Sequence, residues 1–235
     1  MRYAINFTPP ASDPLTIAAS QWLGRNAFSG EAMESPAIRG LDLHEIAFNT
    51  AVPRRYGFHG TLKPPFRLAD GIAEPLLLRN LMHFAGQYER FCLPRLELAR
   101  LSNRFALMPS EPSEPLHHLA SAVVQHFDAF RAPLSDAELE RADTGHLSAS
   151  QFANLHRWGH PHVMDEFRFH MTLTGAVAPQ WNDRFEEVLR RYFEPHLDRP
   201  LEVANLALFV ETEPGAPFLV HSLHPLGSVA SRRIA

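Results

Sequence analysis

The sequence holds a single cysteine, Cys92, among 235 residues. One thiol excludes an internal disulfide and a thiolate zinc cluster. Cys92 falls where a helical pattern gives way to an alternating one, so a buried, inert thiol is expected. No apolar run approaches the roughly 20 residues of a membrane span. Pro9-Pro10 also interrupts the N-terminal segment before a signal-peptide core could build up. A cytoplasmic location without a membrane partner is the expectation. Acidic residues are missing between Ala51 and Ala69, a stretch that contains Arg54, Arg55, Lys63 and Arg67. The chain as a whole nevertheless carries a formal charge of -4, which argues against the broad positive surface that long nucleic acid requires. A small anion beside the basic stretch fits better.

One pattern occurs twice: Tyr56-Gly-Phe-His59-Gly-Thr61-Leu-Lys63 and Phe167-Arg-Phe-His170-Met-Thr172-Leu-Thr174. On a strand, His and Thr two positions apart point the same way, about 6.5 to 7 Å from each other. Alternation puts Arg55, His59, Thr61 and Lys63 on one face of the first copy, and Arg168, His170, Thr172 and Thr174 on one face of the second. The opposite faces carry Phe58, Gly60 and Leu62, matched by Phe169, Met171 and Leu173. The apolar faces suit a covering layer of helices, which leaves the polar faces on a cleft. A lone His on a half-buried strand is usually structural. Two copies of the same polar pair against the same apolar backing are hard to explain by packing.

The two motifs resemble the signature of the 2H phosphoesterase superfamily, which is defined by paired His-x-Thr/Ser motifs. The longer strings Arg-Arg-Tyr-Gly-Phe-His-Gly-Thr-Leu-Lys-Pro-Pro-Phe (54–66) and Phe-Arg-Phe-His-Met-Thr-Leu-Thr-Gly (167–175) resemble its phosphonate-operon branch. The resemblance implies two α+β lobes whose antiparallel sheets line a central cleft, with helices outside, and an enzyme acting on cyclic phosphodiesters without a cofactor.

Residues 2–8 read as a strand ended by Pro9-Pro10. Asp13-Pro14-Leu15 has the grammar of a helix N-cap followed by proline, and Gly24 closes the helix. From Arg25 to Pro53 the periodicity is poor and a long loop with one short element is expected. Pro64-Pro65 halts the first His strand, and Glu74-Pro75 opens an amphipathic helix. Pro94–Leu101 and Arg104–Met108 form a hairpin about Ser102-Asn103. The second half then repeats the first. Arg104-Phe-Ala-Leu and Glu114-Pro115-Leu116 parallel Arg2-Tyr-Ala-Ile and Asp13-Pro14-Leu15, while Leu96–Leu101 parallels Leu201–Leu206. This order indicates a duplicated lobe with pseudo-twofold symmetry: lobe 1 over about 1–103, lobe 2 over about 104–227, a cap insertion over 131–165, and a frayed tail over 228–235. Ser135-x-x-Glu138 is a capping box within the cap.

Hydrolysis of a phosphodiester needs a base for water, an acid for the leaving oxygen and donors for the phosphoryl oxygens. His59 and His170 supply the first two, and the Thr61 and Thr172 hydroxyls the third. Arg55, Tyr56, Lys63, Arg168, Thr174 and Trp158 are expected to bind substrate, with no metal required. Candidate substrates are a small phosphorylated sugar intermediate of phosphonate metabolism, a 2′,3′-cyclic nucleotide or a short RNA end. Two competing readings remain. A non-catalytic binder of nucleotides or RNA ends would use the same cleft, although Arg would serve mere phosphate binding better than His. A metal at His156, His160 and His162 is disfavoured because Gly159 and Pro161 break the helix that would align them.

Overall fold

The computed structural model describes residues 1–142 and 144–227; the segment expected to fray, Ser228 to Ala235, lies outside them. Strand β1 spans Arg2–Phe7. Helix α1, Pro14–Leu23, begins where Asp13 accepts a hydrogen bond from Leu15 N–H and ends at left-handed Gly24. Helix α2 covers Leu43–Tyr56, opened by a reciprocal capping box between Asp42 and Glu45, and it corrects the loop expected over residues 25–53. Its apolar pattern is weak because Phe48 and Val52 face outward while Ile46, Thr50 and Pro53 face in. Arg55 and Tyr56 therefore end a helix and are not part of the His strand. Gly57 makes the turn at φ 76, with no room for a side chain: a Cβ would lie 2.5 Å from that of Ala27.

The first motif enters β2, Gly60–Phe66, followed by α3, Glu74–Ala85, β3, Phe91–Leu93, β4, Leu96–Leu101, and β5, Arg104–Pro109. Helix α4, Glu114–His126, is capped by Ser113. The cap region contains α5, Asp136–Arg141, and α6, Ala149–Trp158, which stops at left-handed Gly159. The second motif contributes β6, Met171–Thr172. Helix α7, Asn182–Leu197, then leads to β7, Leu201–Val203, β8, Asn205–Glu211, and β9, Leu219–Pro225. Among the described residues no helix is long and apolar enough to cross a membrane.

The fold is α+β. Seven strands form one antiparallel sheet in the order β4-β5-β6-β2-β1-β8-β9, and β3 pairs with β7 in a second, two-stranded sheet. The strands β4-β5-β6 and β2-β1-β8-β9 meet edge to edge at β6 and β2, so the surface expected to line the cleft is continuous. The sequence halves interleave, since β4 pairs with β5 and β1 with β8 across the boundary expected near residue 103. Gly60 pairs with Met171 at that junction, and Cys92 with Glu202 in the small sheet. Matching Gly60 with Met171 brings Phe7 onto Leu107 and Asn6 onto Ala106, since each pair faces the same motif position. The same matching sets Ala4 against Arg104 and Phe209 against Leu101. This register differs by two residues from the alignment read in the sequence, where Arg2 stands against Arg104. A slip of two leaves the in-out alternation intact, so the pattern alone could not detect it.

One sheet face carries the main core: Tyr3, Ile5 and Phe7 of β1, Phe105 and Leu107 of β5, Met171 of β6, and Leu206 and Leu208 of β8 pack with apolar stripes of α1, α3, α4 and α7. Trp22 of α1 donates its Nε1–H to Leu173 O at 2.8 Å, tying the first helix to the second motif. Phe169 lies so close over Gly60 that a Cβ there would be 2.2 Å from its ring. Cys92 is exposed, contrary to expectation. In a two-stranded ladder of alternating side chains, Leu93 faces the core and the thiol faces water.

Candidate functional site

The sheet face opposite the core bears the site. Around the Gly60–Met171 pair the strands run antiparallel, so the register sets His59 across from Thr172 and Thr61 across from His170. The four side chains project to one side, with cross-strand Cβ atoms about 5 Å apart and diagonal ones about 7 to 8 Å apart.

Each imidazole is oriented in the same way. His59 Nδ1 lies 3.0 Å from Gly57 O, and His170 Nδ1 lies 2.8 Å from Arg168 O, two residues upstream in both cases. A carbonyl can only accept, so both Nδ1 atoms carry a proton and the Nε2 atoms are the ones turned away from the backbone. His59 Nε2 is 3.1 Å from Thr61 Oγ1. The surroundings of the two rings differ. His59 packs against the Phe209 ring at 5.4 Å. Burial lowers its pKa to about 4 against the opposing bond to Gly57, with the charge on His170 as a further depressing cause. His59 is therefore neutral at neutral pH. His170 is exposed and borders a cavity of about 290 Å3, together with Thr172, Arg104, Ala106 and the Ser102-Asn103 turn.

The other residues expected to bind substrate are dispersed. Lys63 is 2 % exposed and donates to Val124 O of α4, with Asp128 at 3.6 Å. Strict alternation places it beside Thr61, but the ladder with β1 slips between Asn6–Thr61 and Ile5–Lys63, and this bulge reverses the facing of the residues beyond it. Burial pulls the Lys63 amine down to about 8 even though Asp128 holds it up. Thr174 is fully buried and accepts from Phe105 N–H at 2.9 Å, a structural duty. Arg55 pairs with Glu211, which Arg2 also holds. Burial pushes the Glu211 carboxyl up, but the bonds from both arginines and from Gly215 N–H outweigh it and hold it at about 2. Tyr56 stacks on Phe218 at 5.4 Å near the Arg55 guanidinium. Arg168 is exposed and touches the site through its carbonyl. Trp158 belongs to the cap, lying under Arg157 and lining, with Lys63, Arg131 and His160, a cavity of about 20 Å3, enough for one water molecule.

The basic stretch is likewise engaged internally: Arg54 donates to Leu23 O and Thr50, and Arg67 pairs with Glu138. The small anion expected beside the first motif thus meets cations already engaged within the protein.

Sequence reasoning missed four residues. Asn6 stands beside Thr61, is 2 % exposed, and its Oδ1 has no hydrogen-bond partner. Phe209 and Arg104 reach the face through strand pairing, which no local motif announces. His160 comes from the cap: burial lowers its pKa to about 4, helped by charge on His162 and His170, so it shares the region of His170. Its spacing along the chain presents it only as a metal ligand. Among the described residues no three His, Cys, Asp or Glu side chains group as metal ligands. His156 packs at a tilt against Phe152, ring centroids 4.4 Å apart, while His160 and His162 meet edge to face at 5.7 Å.

An α+β protein with paired His-x-Thr elements on one continuous sheet face is the class that the fold and site define. The chain belongs to the family described as "Protein of unknown function (DUF1045)", whose model matches residues 61–219. It is 36% identical over 236 residues to a Janthinobacterium sp. (strain Marseille) protein named "Ribose 1,5-bisphosphate phosphokinase PhnN", an alignment covering 98% of this chain and 52% of that one. A Laribacter hongkongensis (strain HLHK9) protein of the same name is 36% identical over 222 residues, covering 93% of this chain and 50% of the relative. The chain thus spans about half the length of the curated relatives it matches. A solved structure described as "Crystal structure of phosphoesterase" is 13% identical, with a TM-score of 0.41 over 97% of this chain and 99% of that one.

Proposed function

We propose that this chain hydrolyses a small cyclic phosphodiester by two-histidine acid/base catalysis, as the resemblance of its motifs to 2H phosphoesterases implies. The observation that carries the reading is the antiparallel pairing of the two motifs, with each Nδ1 held by its own backbone carbonyl and each Nε2 left on the shared face. Neutral His59 suits the base. Its Nε2 takes a proton from water as the water oxygen bonds to phosphorus, and His170 Nε2 gives a proton to the ester oxygen as the P–O bond breaks. The cyclic diester and water become a phosphomonoester with a free hydroxyl. Thr172 donates to one non-bridging oxygen, and Thr61, whose hydroxyl otherwise donates to His59 Nε2, turns to the other when water takes its place at that nitrogen; the amide of Asn6 stands within the same group.

The relatives are named for a kinase of ribose 1,5-bisphosphate, a ribose bearing two phosphates. Ring opening of a cyclic diester on a phosphorylated ribose yields a molecule of that kind, which favours a phosphorylated sugar of phosphonate metabolism over an RNA end.

The test is a hydrolysis screen in EDTA with cyclic sugar phosphates, 2′,3′-cyclic nucleotides and short RNAs with cyclic ends. Turnover of a cyclic diester is expected. Loss of all activity in EDTA with restoration by zinc would transfer the chemistry to the His156, His160 and His162 group. Binding without turnover of any substrate would make the chain a binding module.

A further inference from the structure

The two ends of the site are built differently at equivalent places. Beside the His59 and Thr61 strand the sheet face carries Ala4 opposite Phe209; beside the His170 and Thr172 strand the same pair is Arg104 opposite Leu101. Phe209 fills the first end by packing on His59. The smaller Leu101 leaves the second end open, and the cavity of about 290 Å3 lies there, close to the smallest volume usual for a small-molecule site. Arg104 stands in its wall, two residues or about 7 Å along the strand from Ala106, which pairs with Thr172. It is exposed, and among the described residues no acidic side chain pairs with it. Among the described residues no carboxylate lines the cavity.

The turn beside Arg104 adds a second observation. Ser102 has φ 57, a left-handed conformation in the first of two hairpin positions, where glycine would be unstrained. A serine kept there costs backbone strain but sets a hydroxyl on the cavity rim beside the Asn103 amide and the guanidinium. A planar cation flanked by a hydroxyl and an amide is a setting for phosphate oxygens.

We infer that Arg104, with Ser102 and Asn103, holds a second anionic group, a phosphomonoester, on the same small molecule whose cyclic diester lies between His59 and His170. Arg104 is thus a specificity residue. The assignment rests on the cyclic-diester reading for the position of the reacting phosphate. Its ligand chemistry can be measured without turnover.

Calorimetric titration of the wild-type chain, Arg104→Gln and Arg104→Lys would compare ribose 1,5-bisphosphate with ribose 1-phosphate, and adenosine 2′,5′-bisphosphate with adenosine 2′-monophosphate. Wild type should bind the bisphosphate of at least one pair more than tenfold tighter, the loss expected for one charge-assisted contact. Arg104→Gln should bring that ratio near one, and Arg104→Lys should retain part of it. A ratio cancels any general loss of folded protein. Ser102→Gly should raise the melting temperature while lowering the ratio. Equal affinities in both wild-type pairs, or a preference that survives Arg104→Gln, would overturn the inference. A preference that depends on Arg104 in a chain that hydrolyses no cyclic diester would uphold the inference and sink the catalytic reading. Hydrolysis without such a preference would do the reverse.

Discussion

The end of the site that looks basic in the sequence is the one whose cations are already engaged within the protein. Around the first motif, Arg54, Arg55, Lys63 and Arg67 all have partners within the protein, and half-buried His59 packs against the Phe209 ring. Around the second motif the sequence is less basic, yet His170 is exposed and Arg104 faces an open cavity. Charge counted along a chain measures what the fold must neutralise as much as what a ligand can use. The contrast also separates the two imidazoles, with His59 half-buried and neutral against the Phe209 ring and His170 exposed.

The largest expected effect ignores that contrast. His59→Ala and His170→Ala should each lower kcat by a factor of about 100 or more with little change in KM, because proton transfer is felt mainly in the transition state. The double variant should be little worse than either single one. Steady-state kinetics would show it, and additive losses would mean that the rings serve separate steps.

Next comes the junction between the halves. Gly60→Ala should destabilise the fold by about 1 to 3 kcal/mol by driving a methyl group into Phe169. Phe169→Leu in the same chain should recover part of the loss in chemical denaturation. Equal midpoints for Gly60→Ala and wild type would show that the ring moves aside freely.

The electrostatic difference between the two ends predicts the pH profile. His59 remains able to accept a proton until the pH falls through about 4, so the acid limb of kcat/KM should lie there and not near the ordinary histidine value. Phe209→Ala, by admitting water to the ring, should move that limb upward. Between the unfolded value near 6.5 and about 4, the unfolded chain binds a proton that native His59 refuses, so stability declines as pH falls across that window. His59→Gln should flatten the slope.

Smaller effects should come from the internally paired charges. Glu211→Gln should cost about 2 kcal/mol through its bonds to Arg2 and Arg55, read as a lower melting temperature. Lys63→Gln should leave KM within about twofold, since its amine faces α4 and Asp128. A large rise in KM would return Lys63 to the substrate.

Much of this molecule can be read residue by residue. The caps at Asp13, Gly24, Ser135 and Gly159 lie where the sequence puts them, because a cap joins one side chain or one glycine to the nearest free backbone groups. The pairing of His with Thr on one face, and of Phe and Leu on the other, comes from strand alternation alone. Helix α2 is hidden in the sequence because its outer face is as apolar as its inner one, with Phe48 80% exposed, so no stripe emerges. The facing of Lys63 is hidden too, because a bulge belongs to a pair of strands and leaves no mark in either one.

By itself, then, the sequence determined the secondary elements with local signals, the doubled His-x-Thr pattern and the face to which each copy turns, since these depend on neighbours along the chain. Tertiary structure decided that β2 and β6 adjoin, that Lys63 turns away, that His160 comes near His170, and that Arg104 stands where the other half has Ala4. Those outcomes depend on strand register and on which distant backbone fills each edge, and a shift of two residues changes every such neighbour without altering the alternation that the sequence displays.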